Sequence, residues 1–344
     1  MRILIPVDPE IPVPPPLYGG VERLVDGLIE AYTALGHEVI LLAHADSTQK
    51  DAFRRFGWPS THPRGFRNVW KNAWALYRVS RQLKPDVIHS FGRLMYLYPS
   101  VLLLGNRVLM TYGRFISPRS TALASLVMGK RLRFSSAAGH MLNHLKCFRR
   151  KFTAIYNFTP VDYYIPDEQA EPEYLMFLGR IEDIKGTKEC IDVALRCGEK
   201  LLIAGNIQPG HEDWFKENIE THLEHPLIEY AGPVNDEQKR HFLRRAKALL
   251  FPIKWEEPFG IVMAEAMACG TPVIGFRRGS VPEIIIDGKN GFIVDDVAQM
   301  CRAVEKIAEI DRKEVRSDCV ERFSREKIAE DYLQVLRAHR KEKQ

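Results

Sequence analysis

Apolar and polar positions in this chain alternate between short buried-looking runs and longer stretches with helical spacing. Arg2–Pro6 is a short apolar run, and a loop rich in proline and glycine follows it, ending in Gly19 and Gly20. Val21, Leu24, Val25, Leu28, Ile29 and Tyr32 then recur at i, i+3, i+4 and i+7. That spacing predicts a helix with one apolar face. Gly36 ends it and Glu38–Leu42 reads as the next strand, which completes a βαβ unit. The alternation continues with a helix over Arg67–Lys84 and strands at Asp86–His89, Arg107–Thr111, Leu132–Ser135 and Thr153–Tyr156. It restarts at Tyr174–Leu178, with strands at Leu201–Ala204, Ile228–Ala231, Ala248–Phe251, Pro272–Gly275 and Phe292–Val294 and helices between them.

Two consecutive βα series predict an α/β protein of two doubly wound, Rossmann-like domains. Such sheets bind ligands at the carboxyl ends of their strands, so two of them facing across a cleft would share one site. The expected division is residues 1–160 for the first domain and 161–323 for the second. A final helix, 324–344, is expected to cross back to the first. Thr159–Pro172, rich in proline and acids, reads as the linker.

Composition is that of an ordinary globular chain, and no apolar run approaches the roughly 20 residues that span a bilayer. The start does not read as a signal peptide. Cys147, Cys190, Cys197, Cys269, Cys301 and Cys319 are scattered, with no CxxC pair, so reduced thiols in a cytoplasmic protein are expected. Charge is divided unevenly. Residues 1–161 carry 22 Lys/Arg against 9 Asp/Glu, while the rest carry 27 against 35. Between Ala52 and Val161 the sole acid is Asp86. The first half therefore faces an anionic partner or crowds a membrane surface.

Glu256–Val273, EEPFGIVMAEAMACGTPV, carries the chemistry. Ala248–Phe251 is a strand, Pro258, Phe259 and Gly260 turn the chain at its carboxyl end, and Ile261–Cys269 forms a helix that Gly270 and Pro272 stop. Free N–H groups at that helix start make an anion site suited to a phosphate. Glu257 precedes the helix and Glu265 lies one turn inside it; one carboxylate can accept from a sugar's hydroxyls and the other from ribose. Glu256 could do the work of Glu257, and Glu265 could instead be a solvated helix residue.

This segment resembles the signature of the family-4 retaining glycosyltransferases of the GT-B fold. Phe177–Gly186, Leu202–Gly205, Tyr230–Glu237 and Gly279–Gly291 resemble the same family in order and spacing; in the first half the best matches are Tyr18–Val25 and Leu35–Leu42. The resemblance implies an enzyme that moves a sugar from a nucleotide diphosphate sugar to a hydroxyl acceptor, with catalytic roles for Glu257, Arg180 and Lys185. It implies a donor site of Gly19, Gly20, Gly179, Gly205, Val234, Pro258, Phe259, Gly260, Ile261 and Glu265. The nucleotide sugar is then a co-substrate, and neither a cofactor nor a metal is expected. Read as plain residues, Arg180 and Lys185 could be surface charges just past a strand.

The acceptor side is less defined. Relatives carry a His where Tyr112 stands, in MetThrTyrGlyArg (Met110–Arg114), so Tyr112 and Arg114 are candidates together with His89. A lone His at a strand end is more often structural, and His89 could be so. Arg67–Lys84 spaces Trp70, Trp74 and Tyr77 at i, i+4 and i+7 among basic residues. That pattern fits either a core-facing aromatic stripe or a basic, aromatic surface on anionic lipid. With the basic cluster Lys146, Arg149, Arg150 and Lys151, it suggests an anionic or lipid-linked acceptor and peripheral contact with the inner face of the membrane. Nucleic acid is not an expected partner, since no recognition motif for it occurs. The alternative function is a GT-B-type nucleotide-sugar epimerase or hydrolase.

Overall fold

A computed structural model describes residues 1–16, 19–62, 65–114, 116–145 and 148–341. Tyr18, Lys146 and Cys147 lie outside them. The chain divides into two compact units, Met1–Asn157 with Arg325–Gln344, and Phe158–Ser324.

In the first unit the described strands are β1 (Arg2–Pro6), β2 (Glu38–Ala43), β3 (Arg54–Gly57), β4 (Val87–Ser90), β5 (Val108–Tyr112), β6 (Leu132–Ser136) and β7 (Phe152–Ala154). They form one sheet in the order β3-β2-β1-β4-β5-β6-β7, and every pairing is parallel. Helices α1 (Gly20–Ala34), α2 (Phe66–Leu83), α3 (Tyr98–Leu104) and α4 (Pro118–Met128) make the crossovers. Sheets of this kind are covered on both faces, which is why their strands are continuous apolar runs; Ile3, Leu4 and Ile5 are fully buried. The exception is β3, RRFG, an exposed edge strand with no apolar pattern, and the sequence reading missed it.

The second unit holds β8 (Tyr174–Leu178), β9 (Leu201–Ala204), β10 (Ile228–Gly232), β11 (Ala246–Phe251), β12 (Val273–Phe276) and β13 (Gly291–Val294), in the parallel order β10-β9-β8-β11-β12-β13. Its helices are α5 (Thr187–Cys197), α6 (Glu212–Asn218), α7 (Asp236–Arg245), α8 (Ile261–Ala268), α9 (Val281–Ile284), α10 (Val297–Lys306) and α11 (Arg312–Phe323). Strand order reverses between β8 and β11, which run parallel, and that is the switch point at which ligands of open α/β sheets bind.

Thr159–Pro172 is not the free linker its composition suggests. The Arg316 guanidinium, on α11, donates to the carbonyls of Val161 (2.7 Å), Tyr164 (2.5 Å) and Ala268 (2.6 Å). Thr159 N–H donates to Phe323 O, and Tyr164 is buried. Carbonyls that water would otherwise satisfy are met by one planar, five-donor side chain.

The last helix, α12 (Arg325–Lys341), belongs to the first unit. It packs on α1 and buries Ile328, Tyr332, Leu333 and Leu336 at helical spacing. The Tyr332 ring lies 4.6 Å from that of His89, and His339 contacts the Arg131 carbonyl at 3.1 Å.

Candidate active site

Arg180 and Lys185 follow β8, and Glu257 and α8 follow β11, so the sheet order brings two segments some seventy residues apart to one carboxyl edge. Backbone contacts lock them together: Lys254 N–H donates to Ile184 O at 2.9 Å. Lys185 Nζ donates to Glu257 Oε2 at 2.5 Å and stands 4.9 Å above the Trp255 ring, whose Nε1–H reaches the same oxygen at 3.0 Å. Neighbouring Glu256 is exposed, and its carboxylate accepts from Gly279 N–H at 3.2 Å. Glu256 therefore holds the loop, while Glu257 meets the cation.

Glu265, one turn inside α8, is buried at 5% exposure rather than solvated. Its Oε1 accepts from Lys239 Nζ at 2.7 Å, and Lys239 also reaches Asp236 at 3.1 Å. Burial pulls the Lys239 ammonium down, but the two carboxylates outweigh it and leave it above its ordinary value. Burial, then Glu265, raises the Tyr164 hydroxyl nearby. The second oxygen of Glu265, Oε2, is buried and has no hydrogen-bond partner among the described residues. A buried acceptor left unpaired costs about 1–3 kcal/mol, so a hydroxyl donor arriving there would recover that energy.

Gly260 begins α8 with φ +70° and no side chain caps the helix start. A Cβ there would stand 2.8 Å from the Phe251 ring. Pro258 and Ile261 flank it, half-buried and 39% exposed, while Phe259 is buried and its carbonyl accepts from Ser280 at 2.7 Å. Gly205 ends β9 at φ +146°, where a Cβ would collide with the Gly179 carbonyl. Gly179 and Gly205 thus seal adjacent strand ends, and half-buried Val234 follows β10. Arg180 pairs with Glu182 at 3.0 Å and donates to Gln208 Oε1 at 3.1 Å.

The remaining candidates lie in the first unit. Gly19 precedes α1, and a Cβ on it would strike Pro15 at 2.7 Å; Gly20 opens the helix into free space. Tyr112 ends β5, half-buried, and burial, with Tyr98 adding, pushes its hydroxyl up to about 12; Arg114 beyond it is exposed. His89 is a correction. It is fully buried, with Nδ1 at 3.1 Å from Tyr32 Oη and Nε2 at 2.9 Å from Thr111 Oγ1. Burial pulls its pKa down to about 3. A neutral ring with both nitrogens engaged inside the core does not meet an acceptor. Of the basic cluster, Arg149 and Arg150 are exposed, but Lys151 turns inward to cap α4 at Gly129 O (2.5 Å).

The sequence reading missed Lys239 and Trp255, which partner the two glutamates. It also missed Asp8, Glu22 and Arg93 at the carboxyl edge of the first sheet, where Asp8 and Arg93 stand 3.5 Å apart. Lys239 had a signal, since it sits three residues after Asp236 on a helix capped by Asn235.

Both halves of the chain match models of known families. The model for glycosyl transferases group 1 matches residues 165–330, and that for Glycosyltransferase Family 4 matches residues 18–159. The chain belongs to the glycosyltransferases. Glycogen synthase of Mycobacterium tuberculosis (strain H37Rv) is 31% identical over 143 residues, 40% of this chain and 34% of that protein. D-inositol 3-phosphate glycosyltransferase of Arthrobacter sp. (strain FB24) is 30% identical over 129 residues, 36% of this chain and 30% of that protein. The chain thus spans about a third of the length of these relatives. A glycosyltransferase from Rickettsia africae ESF-5 superposes with a TM-score of 0.81 at 18% identity over 98% of both chains. Anabaena HepE, solved in complex with UDP-glucose, does so at 0.74 and 15% identity over 98% of this chain and all of that one. The fold of this glycosyltransferase is GT-B. No helix among its described residues is long and apolar enough to cross a membrane.

Proposed function

We propose that this glycosyltransferase moves a sugar from a nucleotide diphosphate sugar to a hydroxyl acceptor with retention of anomeric configuration. The observation that carries the reading is the pair of glutamates at the switch point, one bound to a lysine beside an uncapped helix start, the other with a buried oxygen unpaired. In this reading Arg180, Lys185 and the first N–H groups of α8 meet the diphosphate, and Lys185 exchanges part of its contact with Glu257 for phosphate. Glu257 accepts from the sugar's hydroxyls and Glu265 Oε2 from the ribose.

The bond from the anomeric carbon to the phosphate oxygen breaks as the bond to the acceptor oxygen forms on the same face. The acceptor's proton passes to the departing phosphate oxygen. The protein's part is to stabilise the charge that grows on the diphosphate, with donors already in place. Two cationic side chains and a helix start can meet that charge, and we read the transfer as independent of metal. An anionic or lipid-linked acceptor at the inner face of the membrane suits the basic first unit.

Incubation with a panel of nucleotide sugars and acceptors, followed by NMR of the anomeric proton, tests the reading. Arg180→Ala is expected to slow transfer about 100- to 1000-fold. An inverted product, or full activity of Arg180→Ala, would overturn it.

A further inference from the structure

The aromatic stripe of α2 points outward. Phe66 is 76% exposed, Trp70 40% and Trp74 41%, while Asn72, Ala73, Leu76 and Val79 face the core. Residues at i, i+4 and i+8 form one ridge, and Arg67, Lys71 and Arg78 lie exposed along its flank. The ridge borders an open groove that Gly57 and Pro59 close from the end of β3.

The neighbouring helices repeat the pattern. On α4, Leu123, Leu126 and Val127 are exposed at i, i+3 and i+4, with exposed Arg119 one turn before them; on α3, Leu102 and Leu103 are exposed. The connections β3→β4, β4→β5 and β5→β6 all run the same way across the sheet. Right-handed crossovers therefore place α2, α3 and α4 in one layer, and α2 packs on α3 and α3 on α4.

A soluble surface rarely carries so many large apolar side chains together. The charge beside them selects the partner. Arg67, Lys71, Arg78 and Arg119 are exposed on the same helices, and the segment that carries these helices, Ala52 to Val161, has 19 basic residues and one acid, Asp86, which pairs with Arg340 at 2.9 Å. Aromatic and leucine side chains ringed by cations are what an interfacial helix presents to anionic headgroups.

We propose that the layer α2–α3–α4 is a docking face for an anionic lipid bilayer, with Trp70 and Trp74 entering the headgroup region. This deepens the acceptor reading above, on which it rests, by naming the surface and its partner. Vesicle binding is read without nucleotide sugar, so its failure leaves donor binding standing, and the reverse also holds.

The test uses the full chain and vesicles of phosphatidylcholine with or without about one third phosphatidylglycerol, at low and high salt. Binding is expected on anionic vesicles only and to weaken with salt. Lys71→Gln with Arg78→Gln should lower the partition coefficient about five-fold per charge removed, about 25-fold together. Brominated lipid should quench the wild-type tryptophans and lose most of that quenching in Trp70→Phe with Trp74→Phe. Circular dichroism and nucleoside diphosphate affinity of the variants serve as controls for folding, since all four positions are on the surface. Equal binding to neutral and anionic vesicles, or variants that bind and quench like wild type, would overturn the proposal. So would a wild-type dimer in lipid-free solution that these substitutions split, because the face would then be a protein interface.

Discussion

Replacing Glu265 by glutamine separates donor recognition from folding. The side chain is almost wholly buried, with one oxygen on Lys239 and the other unpaired. Alanine would leave a largely buried ammonium with Asp236 alone, and breaking a buried pair costs up to about 3–5 kcal/mol. Glutamine keeps the shape and an amide oxygen for Lys239, which also retains Asp236 at 3.1 Å. The stability loss should then be about 1–2 kcal/mol, or a few degrees in Tm. At Oε2 the charged acceptor disappears. A hydrogen bond to a charged group contributes about 1.5–3 kcal/mol, so nucleoside diphosphate affinity should fall about 10- to 150-fold. The assay is calorimetric titration with the nucleoside diphosphate that most raises the wild-type Tm, repeated with its ribose hydroxyls removed. Wild type should lose affinity for the truncated nucleotide by a similar factor, and Glu265→Gln should scarcely distinguish the two. If the variant weakens both equally, or binds the intact nucleotide as wild type does, the ribose role is wrong.

Two further outcomes follow from buried ionisable groups in the first unit. His89→Ala removes contacts to Tyr32 and Thr111 and the ring under Tyr332, so it should cost about 3 kcal/mol in chemical denaturation and leave nucleotide affinity unchanged; a large affinity loss without destabilisation would restore it as a site residue. Asp26 on α1 is raised to about 6, by burial first and then by Glu30. Because its folded pKa exceeds the unfolded one, the native state holds the extra proton between about pH 4 and 6, and the group opposes folding above that window. Asp26→Asn should therefore raise Tm at pH 7.5, with the gain fading as pH falls through 6 towards 4; a gain that does not vary with pH would refute this.

The parallel strands were legible because both of their faces are covered. Runs such as YLMFL (β8) and LLIA (β9) carry that directly, whereas RRFG at the β3 edge is set only by pairing with β2. The helix period showed that Trp70 and Trp74 share a face but not which way it turns. The core side of α2 is made of small and aliphatic residues, so the rings are left outside. Around the site, turn chemistry and spacing put Glu257 at a strand end and Glu265 in a helix. Lys185 was named from the resemblance, but its pairing with Glu257 was hidden because it comes only through the adjacency of β8 and β11; Lys239 was missed because it meets Glu265 through the packing of α7 on α8. His89 misled for a related reason: a polar residue at a strand end marks a site only if nothing later in the chain covers it.

What covers it is α12, and that has a consequence for how the protein is made. The helix that closes the first unit leaves the ribosome only after the whole of the second has been synthesised. Until then Tyr32 and His89 have no Tyr332 above them, and the apolar flank of α1 lies open. Domains usually complete folding in the order of their synthesis; here the later-encoded unit can finish first, and the earlier one must wait for its last seventeen residues of helix.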